Sequence, residues 1–356
     1  MKNSKKPRRL ADSTIAIHAG EGKFQKNEPV GTVIARTASF TFSSSEEMRL
    51  WAEGKSSAYM YTRYANPTLA VAEEKIARLE GGEAALVTAS GMAAISSALL
   101  SVLKAGDEVI ATQALYGGSY RLMRDIFPRM GIVVRHVGTD LAGIERLVNP
   151  RTKALYIETP TNPTLRLVDL RKAAAFAKEW DLISLIDNTF ASPVLQKPLE
   201  IGFDLVMHSA TKYLAGHSDV IAGAIVGRSS LIKAAREIVI YLGGSMDPEA
   251  AFLLIRGMKT LEVRMKRQCA TALIVAKFLE KHPVSFPFLL DEDRTITKAY
   301  GLYHRLAVDA INIAHPATLV IDGNGTVRYI YRGESQTDRA PMEKVLETVR
   351  KLTASA

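Results

Sequence analysis

The chain has 356 residues, 47% of them hydrophobic and 23% charged, which is ordinary for a soluble globular protein and long enough for two domains. Its net charge of +9 raises the question of nucleic acid, but outside the cluster Lys2, Lys5, Lys6, Arg8 and Arg9 the basic residues are dispersed, and no nucleic-acid motif accompanies them. No apolar run approaches the ~18 residues of a membrane span, no apolar stretch follows the basic start, and the single cysteine, Cys269, excludes an internal disulfide, so a cytoplasmic protein with neither membrane nor nucleic-acid partner is expected.

From Glu83 onward, short apolar runs alternate with helical patterns. Ala84 to Thr88 reads as a strand, Met92 to Leu103 as a helix, and Glu108 to Ala111 as a second strand. Ile132 to Val137 and Ala154 to Glu158 follow as strands, then a helix from Leu170 to Trp180, then buried strands at Leu182 to Ile186 and Leu205 to Met207. This alternation predicts an α/β fold with a mostly parallel, helix-covered sheet, in which ligands gather at the carboxyl ends of the strands. Leu253 to Leu279 reads as one long helix or two joined ones. Near His282-Pro283 the pattern changes to shorter elements, and close to the end Met342, Val345, Leu346 and Val349 share one helical face.

The densest chemical cluster is Ser209-Ala210-Thr211-Lys212-Tyr213, directly after a strand. An amine among small hydroxyl residues suits an aldehyde cofactor, since attack needs the deprotonated amine and a buried or cationic setting lowers its pKa. Ser209 and Thr211 suit a phosphate. Taken alone, such a lysine also fits an exposed loop. Asp187 shifts the balance. It ends a buried apolar run, where a carboxylate is costly unless paired. A pyridinium N–H is such a partner, and the pair keeps the ring protonated as an electron sink. A helix cap or a metal ligand is the alternative for Asp187, but no metal-ligand cluster surrounds it and no metal is expected. The interval from Asp187 to Lys212 leaves room for one crossover between two strands. Ser90-Gly91-Met92 follows a strand and opens a helix, where backbone N–H groups face a phosphate well. Tyr116-Gly117-Gly118 follows another strand and offers a ring for stacking, although tyrosine in a turn is commonplace.

Together these segments resemble the Cys/Met-metabolism family of pyridoxal-5′-phosphate (PLP) enzymes, of the aspartate-aminotransferase-like fold. That family includes cystathionine γ-synthase, cystathionine γ-lyase, methionine γ-lyase and O-acetylhomoserine sulfhydrylase. The resemblance runs from about Thr14 to Val284. It is carried in order by Tyr61 to Thr68, Ser90 to Ala94, Leu115 to Gly118, Glu158 to Pro163, Asp187-Asn188-Thr189, His208 to Tyr213 and Leu254 to Met265. It implies that Lys212 holds PLP as a Schiff base and later shuttles protons, and that Asp187 pairs with the ring nitrogen. Thr189 belongs to the same cofactor-binding segment. Tyr116 would stack on the ring and act in acid–base steps. Gly91, Met92, Ser209 and Thr211 would cradle the phosphate, and Asn162 would lie near the ring's 3-oxygen. Tyr61 and Arg63 would bind the phosphate of a neighbouring subunit, which implies a homodimer or homotetramer with a shared active site. A surface salt bridge is the alternative for Arg63, whose fork nevertheless suits phosphate. The implied substrate is a small amino acid of sulfur metabolism (cystathionine, homocysteine, methionine or an O-acyl-homoserine) in β- or γ-elimination or γ-replacement. PLP binding with little turnover is the alternative. Methionine γ-lyases commonly have a cysteine where Gly118 stands.

In that family the long helix leads into a smaller domain that supplies an arginine for the substrate's α-carboxylate. From about Ser285 this sequence instead resembles the C-terminal half of a peroxiredoxin, of the thioredoxin fold. Phe286 to Arg294, Ala299-Tyr300-Gly301, Pro316 to Asp322, Gly325 to Tyr331 and Gly333-Glu334-Ser335 carry this second resemblance. Pro316 would be that fold's cis proline, preceded by His315 where an arginine is frequent. Cys269 lacks the Pro-x-x-x-Thr-x-x-Cys context of a peroxidase and reads as a helix-packing residue. The expected organisation is an N-terminal arm (1–60), a PLP-binding large domain (61–262), a connecting helix (263–284) and a partial thioredoxin-like fragment (285–356).

Overall fold

The computed structural model describes residues 10–21, 29–281, 303–306, 311–314, 317–333 and 340–354. The expectations placed on Phe286 to Arg294, Ala299 to Gly301, His315-Pro316 and Glu334-Ser335 lie outside the described residues. The chain divides into two compact units, Met1–Ala276 and Lys277–Ala356.

The first unit is built on a seven-stranded sheet. Its strands are β1 (Ala84–Thr88), β2 (Glu108–Thr112), β3 (Val133–Val137), β4 (Thr152–Glu158), β5 (Ile183–Asp187), β6 (Leu205–His208) and β7 (Gly223–Gly227), in the order β1-β7-β6-β5-β4-β2-β3. The β2–β3, β2–β4, β4–β5 and β5–β6 pairs are parallel, as the alternation predicts, and β7 runs antiparallel to β1 and β6. β7 has no counterpart in the sequence reading. Glycines begin and end it, and glycine weakens a strand pattern. Both are needed: a Cβ on Gly223 would strike the Ser90 carbonyl, and one on Gly227 would lie 2.5 Å from the Asp204 carbonyl.

Apart from the edge strand β3, which is exposed or half-buried up to Val137, the strands bury most of both faces, which is why they read as continuous apolar runs. Leu155, Ile157, Ile186, Val206 and Val226 pack with Ile76 and Leu79 on one face, while Tyr156, Leu185, Leu205, Met207 and Ile225 pack with Ile95 and Leu99 on the other.

Helices begin and end on clear local signals. Pro67–Glu80 is opened by Asn66, whose side chain accepts the Thr68 N–H at 2.9 Å, and is closed by Gly81 in the left-handed region. Ser90 caps Gly91–Leu100 by accepting the Ala93 N–H at 3.1 Å. Asp169 caps Leu170–Glu179 through the N–H groups of Arg171 and Lys172. The predicted Leu253 to Leu279 segment forms two helices, Pro248–Met258 and Leu261–Lys281. No helix among the described residues is long and apolar enough to cross a membrane.

In the second unit β8 (Tyr303–Leu306) pairs antiparallel with β9 (Ile311–Ala314), and β10 (Ala317–Ile321) with β11 (Val327–Arg332). Asp322 sets the β10–β11 turn by accepting the N–H groups of Asn324 and Thr326, each at 2.9 Å. A helix, Met342–Ala354, lies against this hairpin and carries the predicted apolar face, with Met342, Leu346 and Val349 exposed.

Candidate active site

Because β2, β4, β5 and β6 run parallel, and β1 runs with them across the antiparallel β7, their carboxyl ends share one edge of the sheet. The strand ends and the segments after them hold the cofactor-site residues singled out in the sequence, except Tyr61 and Arg63.

Asp187 ends β5 and is 6% exposed. Its Oδ1 accepts the N–H of Thr189 at 3.0 Å and the Thr189 hydroxyl at 2.5 Å, and none of the described residues donates to Oδ2. Burial pushes the Asp187 carboxyl above its ordinary range, against the pull of the Thr189 bonds. The Thr189 oxygen also accepts the Ser209 N–H at 2.8 Å, which ties the end of β5 to the loop after β6.

That loop is pinned on both sides. The Lys212 N–H donates to the Ser209 carbonyl at 3.0 Å, and the Gly216 N–H to the Lys212 carbonyl at 2.8 Å. Thr211 is already engaged: its hydroxyl donates to the Ala222 carbonyl at 3.1 Å and accepts the Ala222 N–H at 2.9 Å. Lys212 itself is exposed in the single chain. It lines a cavity of about 690 Å³ with Phe190, Tyr213, Arg264 and Gln268. Arg264 turns its guanidinium to the carbonyls of Tyr213 and Gly257, at 2.9 and 3.0 Å.

Gly91 begins its helix against Ser209. A Cβ on Gly91 would lie 2.7 Å from Ser209 Cβ and 2.9 Å from Ser209 Oγ, so only glycine permits the approach. In that first turn the Gly91 and Met92 N–H groups have no intrahelical acceptor. A Cβ on Gly118 would lie 2.6 Å from Tyr116 Cε1 and 2.9 Å from Met92 Sδ, so the Tyr116 ring folds over Gly118 beside Met92.

Sequence reasoning missed the role of Glu158, which ends β4 in register with Asp187 and is 4% exposed. Its Oε2 accepts the Tyr116 N–H at 2.7 Å and its Oε1 the Asn162 N–H at 2.9 Å. Burial first, then the neighbouring Asp187, push it up to about 8. The signal that singled out Asp187, a carboxylate ending a buried apolar run, applies equally to Glu158 after Ala154 to Ile157.

Tyr61 and Arg63 stand apart from this group. They line a second cavity of about 420 Å³ with Arg36, Ser245 and Asp247, and its lining shares no residue with that of the Lys212 cavity. Arg63 donates to the Ile240 carbonyl at 2.8 Å and lies over the rings of Tyr61 and Tyr64, 5.4 and 5.1 Å from their centroids.

Residues 13–298 match the family model described as Cys/Met metabolism PLP-dependent enzyme, and residues 268–347 match the one described as Redoxin. The L-methionine γ-lyase of Pseudomonas deceptionensis is 42% identical over 285 residues, covering 78% of this chain and 71% of that protein. The chloroplastic cystathionine γ-synthase 1 of Arabidopsis thaliana is 40% identical over 277 residues, covering 77% of this chain and 49% of that protein. Among solved structures, a putative O-acetylhomoserine (thiol)-lyase from Campylobacter jejuni, which carries N′-pyridoxyl-lysine-5′-monophosphate, superposes with a TM-score of 0.72 at 28% identity, covering 77% of this chain and 75% of that one.

Proposed function

The chain belongs to the Cys/Met metabolism PLP-dependent enzyme family, and we propose that PLP attaches to Lys212 with its ring nitrogen on Asp187. The observation that carries this reading is the chain of bonds Asp187–Thr189–Ser209, which sets a buried carboxylate with one uncommitted oxygen on the edge that also bears Lys212. Burial raises the Asp187 carboxyl, and a cationic partner relieves that cost. When bound, PLP supplies an electron sink for negative charge at the substrate's α-carbon.

The chain's own residues divide the remaining work. Asp187 Oδ2 holds a proton on the ring nitrogen. The N–H groups of Gly91 and Met92 and the hydroxyl of Ser209 bind the phosphate, at a helix start that Ser209 approaches closely because Gly91 has no Cβ. Thr211 joins this cradle, its hydroxyl oxygen also accepting the Ala222 N–H and so holding the Lys212 loop in place. Tyr116 covers the ring and Asn162 lies beside its 3-oxygen. The Lys212 amine takes the proton from the α-carbon and returns it. Tyr61 and Arg63, which line a different cavity in their own chain, reach the phosphate of a neighbouring subunit in a homodimer or homotetramer.

The substrate class we propose is a sulfur amino acid or homoserine ester, undergoing β- or γ-elimination or γ-replacement. The relatives named for methionine and for cystathionine are similarly close, at 42% and 40% identity. Methionine, cystathionine, homocysteine and O-acetylhomoserine are therefore the substrates to assay. A second reading, PLP binding with little turnover, is favoured by the Redoxin match from residue 268 onward. Borohydride reduction followed by peptide mapping tests the site: the pyridoxyl label is expected on Lys212, and label on any other lysine refutes the assignment. Retained cofactor with no product from any of the four substrates selects the second reading.

A further inference from the structure

We infer that Glu158 is a positioning residue that holds the Tyr116 loop and the Asn162 loop together in the arrangement the cofactor needs; the inference rests on the site proposed above. Its two carboxyl oxygens receive backbone N–H groups from two different loops, Tyr116 at 2.7 Å and Asn162 at 2.9 Å. Both donors belong to residues whose side chains are proposed to face the cofactor. One carboxyl group therefore sets the relative placement of a ring above the site and an amide beside it.

Glu158 is itself well held. It ends β4 within a continuous parallel register to β5, Ala154 opposite Ile183 through Glu158 opposite Asp187. With the residue 4% exposed, turning the side chain away leaves two N–H groups and a carboxyl buried without partners. The position also carries a cost that a purely structural cap would avoid. Asp187 of β5 is in register beside it, and the phenol of Tyr156, also on β4, feels both carboxyls. Burial and Asp187 push Glu158 up to about 8. A glutamine of the same shape has only one acceptor oxygen, and its NH₂ faces the second N–H donor to donor. The ionised carboxylate accepts from both loops at once, and an amide in its place accepts from only one.

The test uses the full chain and Glu158→Gln, read first without PLP. Above pH about 8, where the carboxyl is ionised, amide exchange at Tyr116 or Asn162 is expected to accelerate by about tenfold or more, the loss of a charge-assisted bond. The Thr189 and Ser209 amides, bonded within the Asp187–Thr189 chain, are expected to keep their rates. With PLP added, cofactor stoichiometry is retained while the induced circular dichroism of its visible band falls, because the ring of Tyr116 is no longer fixed above it. Unchanged exchange at both amides, or unchanged circular dichroism, overturns the inference. If the variant fails to fold, the unsubstituted protein decides: the Tyr116 and Asn162 amide resonances must titrate together with a midpoint at about 8, and independent or absent titration overturns the inference. Pyridoxyl label away from Lys212 with both amides still responding would sink the site assignment and leave the Glu158 clamp standing.

Discussion

Replacing Gly91 by alanine probes the proposed phosphate cradle at its tightest point. The added Cβ would lie 2.7 Å from Ser209 Cβ and 2.9 Å from both Ser209 Cα and Oγ, all inside the 3.4 Å where ordinary contact begins. A rotamer change of Ser209 does not relieve this, because its Cα is among the obstructing atoms. The Ser209 backbone has little freedom, since its N–H is held by Thr189 at 2.8 Å and its carbonyl by the Lys212 N–H at 3.0 Å. Either the helix start moves away, or Ser209 moves and carries the partners of Asp187 and Lys212 with it. Overpacking of this kind costs about 1–3 kcal/mol. Where the unloaded protein relaxes and the loaded one cannot, the cost falls on PLP binding as a loss of roughly 5- to 150-fold. The assay is a PLP titration of unloaded Gly91→Ala beside the parent, with Gly31→Ala as control, because a Cβ on Gly31 meets nothing within 4 Å. Affinity of Gly91→Ala within about twofold of the parent, outside the range that overpacking cost implies, would falsify the cradle.

Two further outcomes are expected. Mixing Arg63→Ala chains with Lys212→Ala chains should regenerate one intact site per mixed dimer, read as PLP retention or turnover; verified mixed dimers without recovery argue against a shared site. The stability of the unloaded protein should fall as pH rises from about 4.5 to about 8, because folded Glu158 binds its proton more tightly than the unfolded chain does. That contribution is fully present below the lower value and lost above the upper one, amounting to roughly 5 kcal/mol. Denaturant unfolding across this range should show a flatter profile for Glu158→Gln than for the parent, and identical profiles count against the raised carboxyl.

Much of the site was legible in the order of residues. Asp187 and Lys212 stand out because a charged group at the end of an apolar run needs a reason to be there, and the small residues around Lys212 and Gly91 announce close backbone approach. The mostly parallel sheet follows from strands alternating with helices. The C-terminal resemblance is matched by the Redoxin model from residue 268, before the Ser285 at which that resemblance was read to begin.

Other features depended on the folded chain. β7 escaped notice because glycines at both ends hide a short strand whose close approach to Ser90 exists only in three dimensions. Thr211 reads as a phosphate ligand from its neighbours, and the return of the chain at Ala222 adds a bond to its hydroxyl that no sequence pattern announces. Tyr61 and Arg63 sit near the site in motif order but line another cavity in space. Glu158 is the clearest case. Its partners are backbone N–H groups, which nearly every residue possesses, so nothing in the identity of Tyr116 or Asn162 advertises the bond. Local hydrophobic and charge patterns determined which segments became strands and which side chains ended them. Register between strands, a property of the assembled sheet, decided that Glu158 lies beside Asp187 and which loops those carboxylates hold.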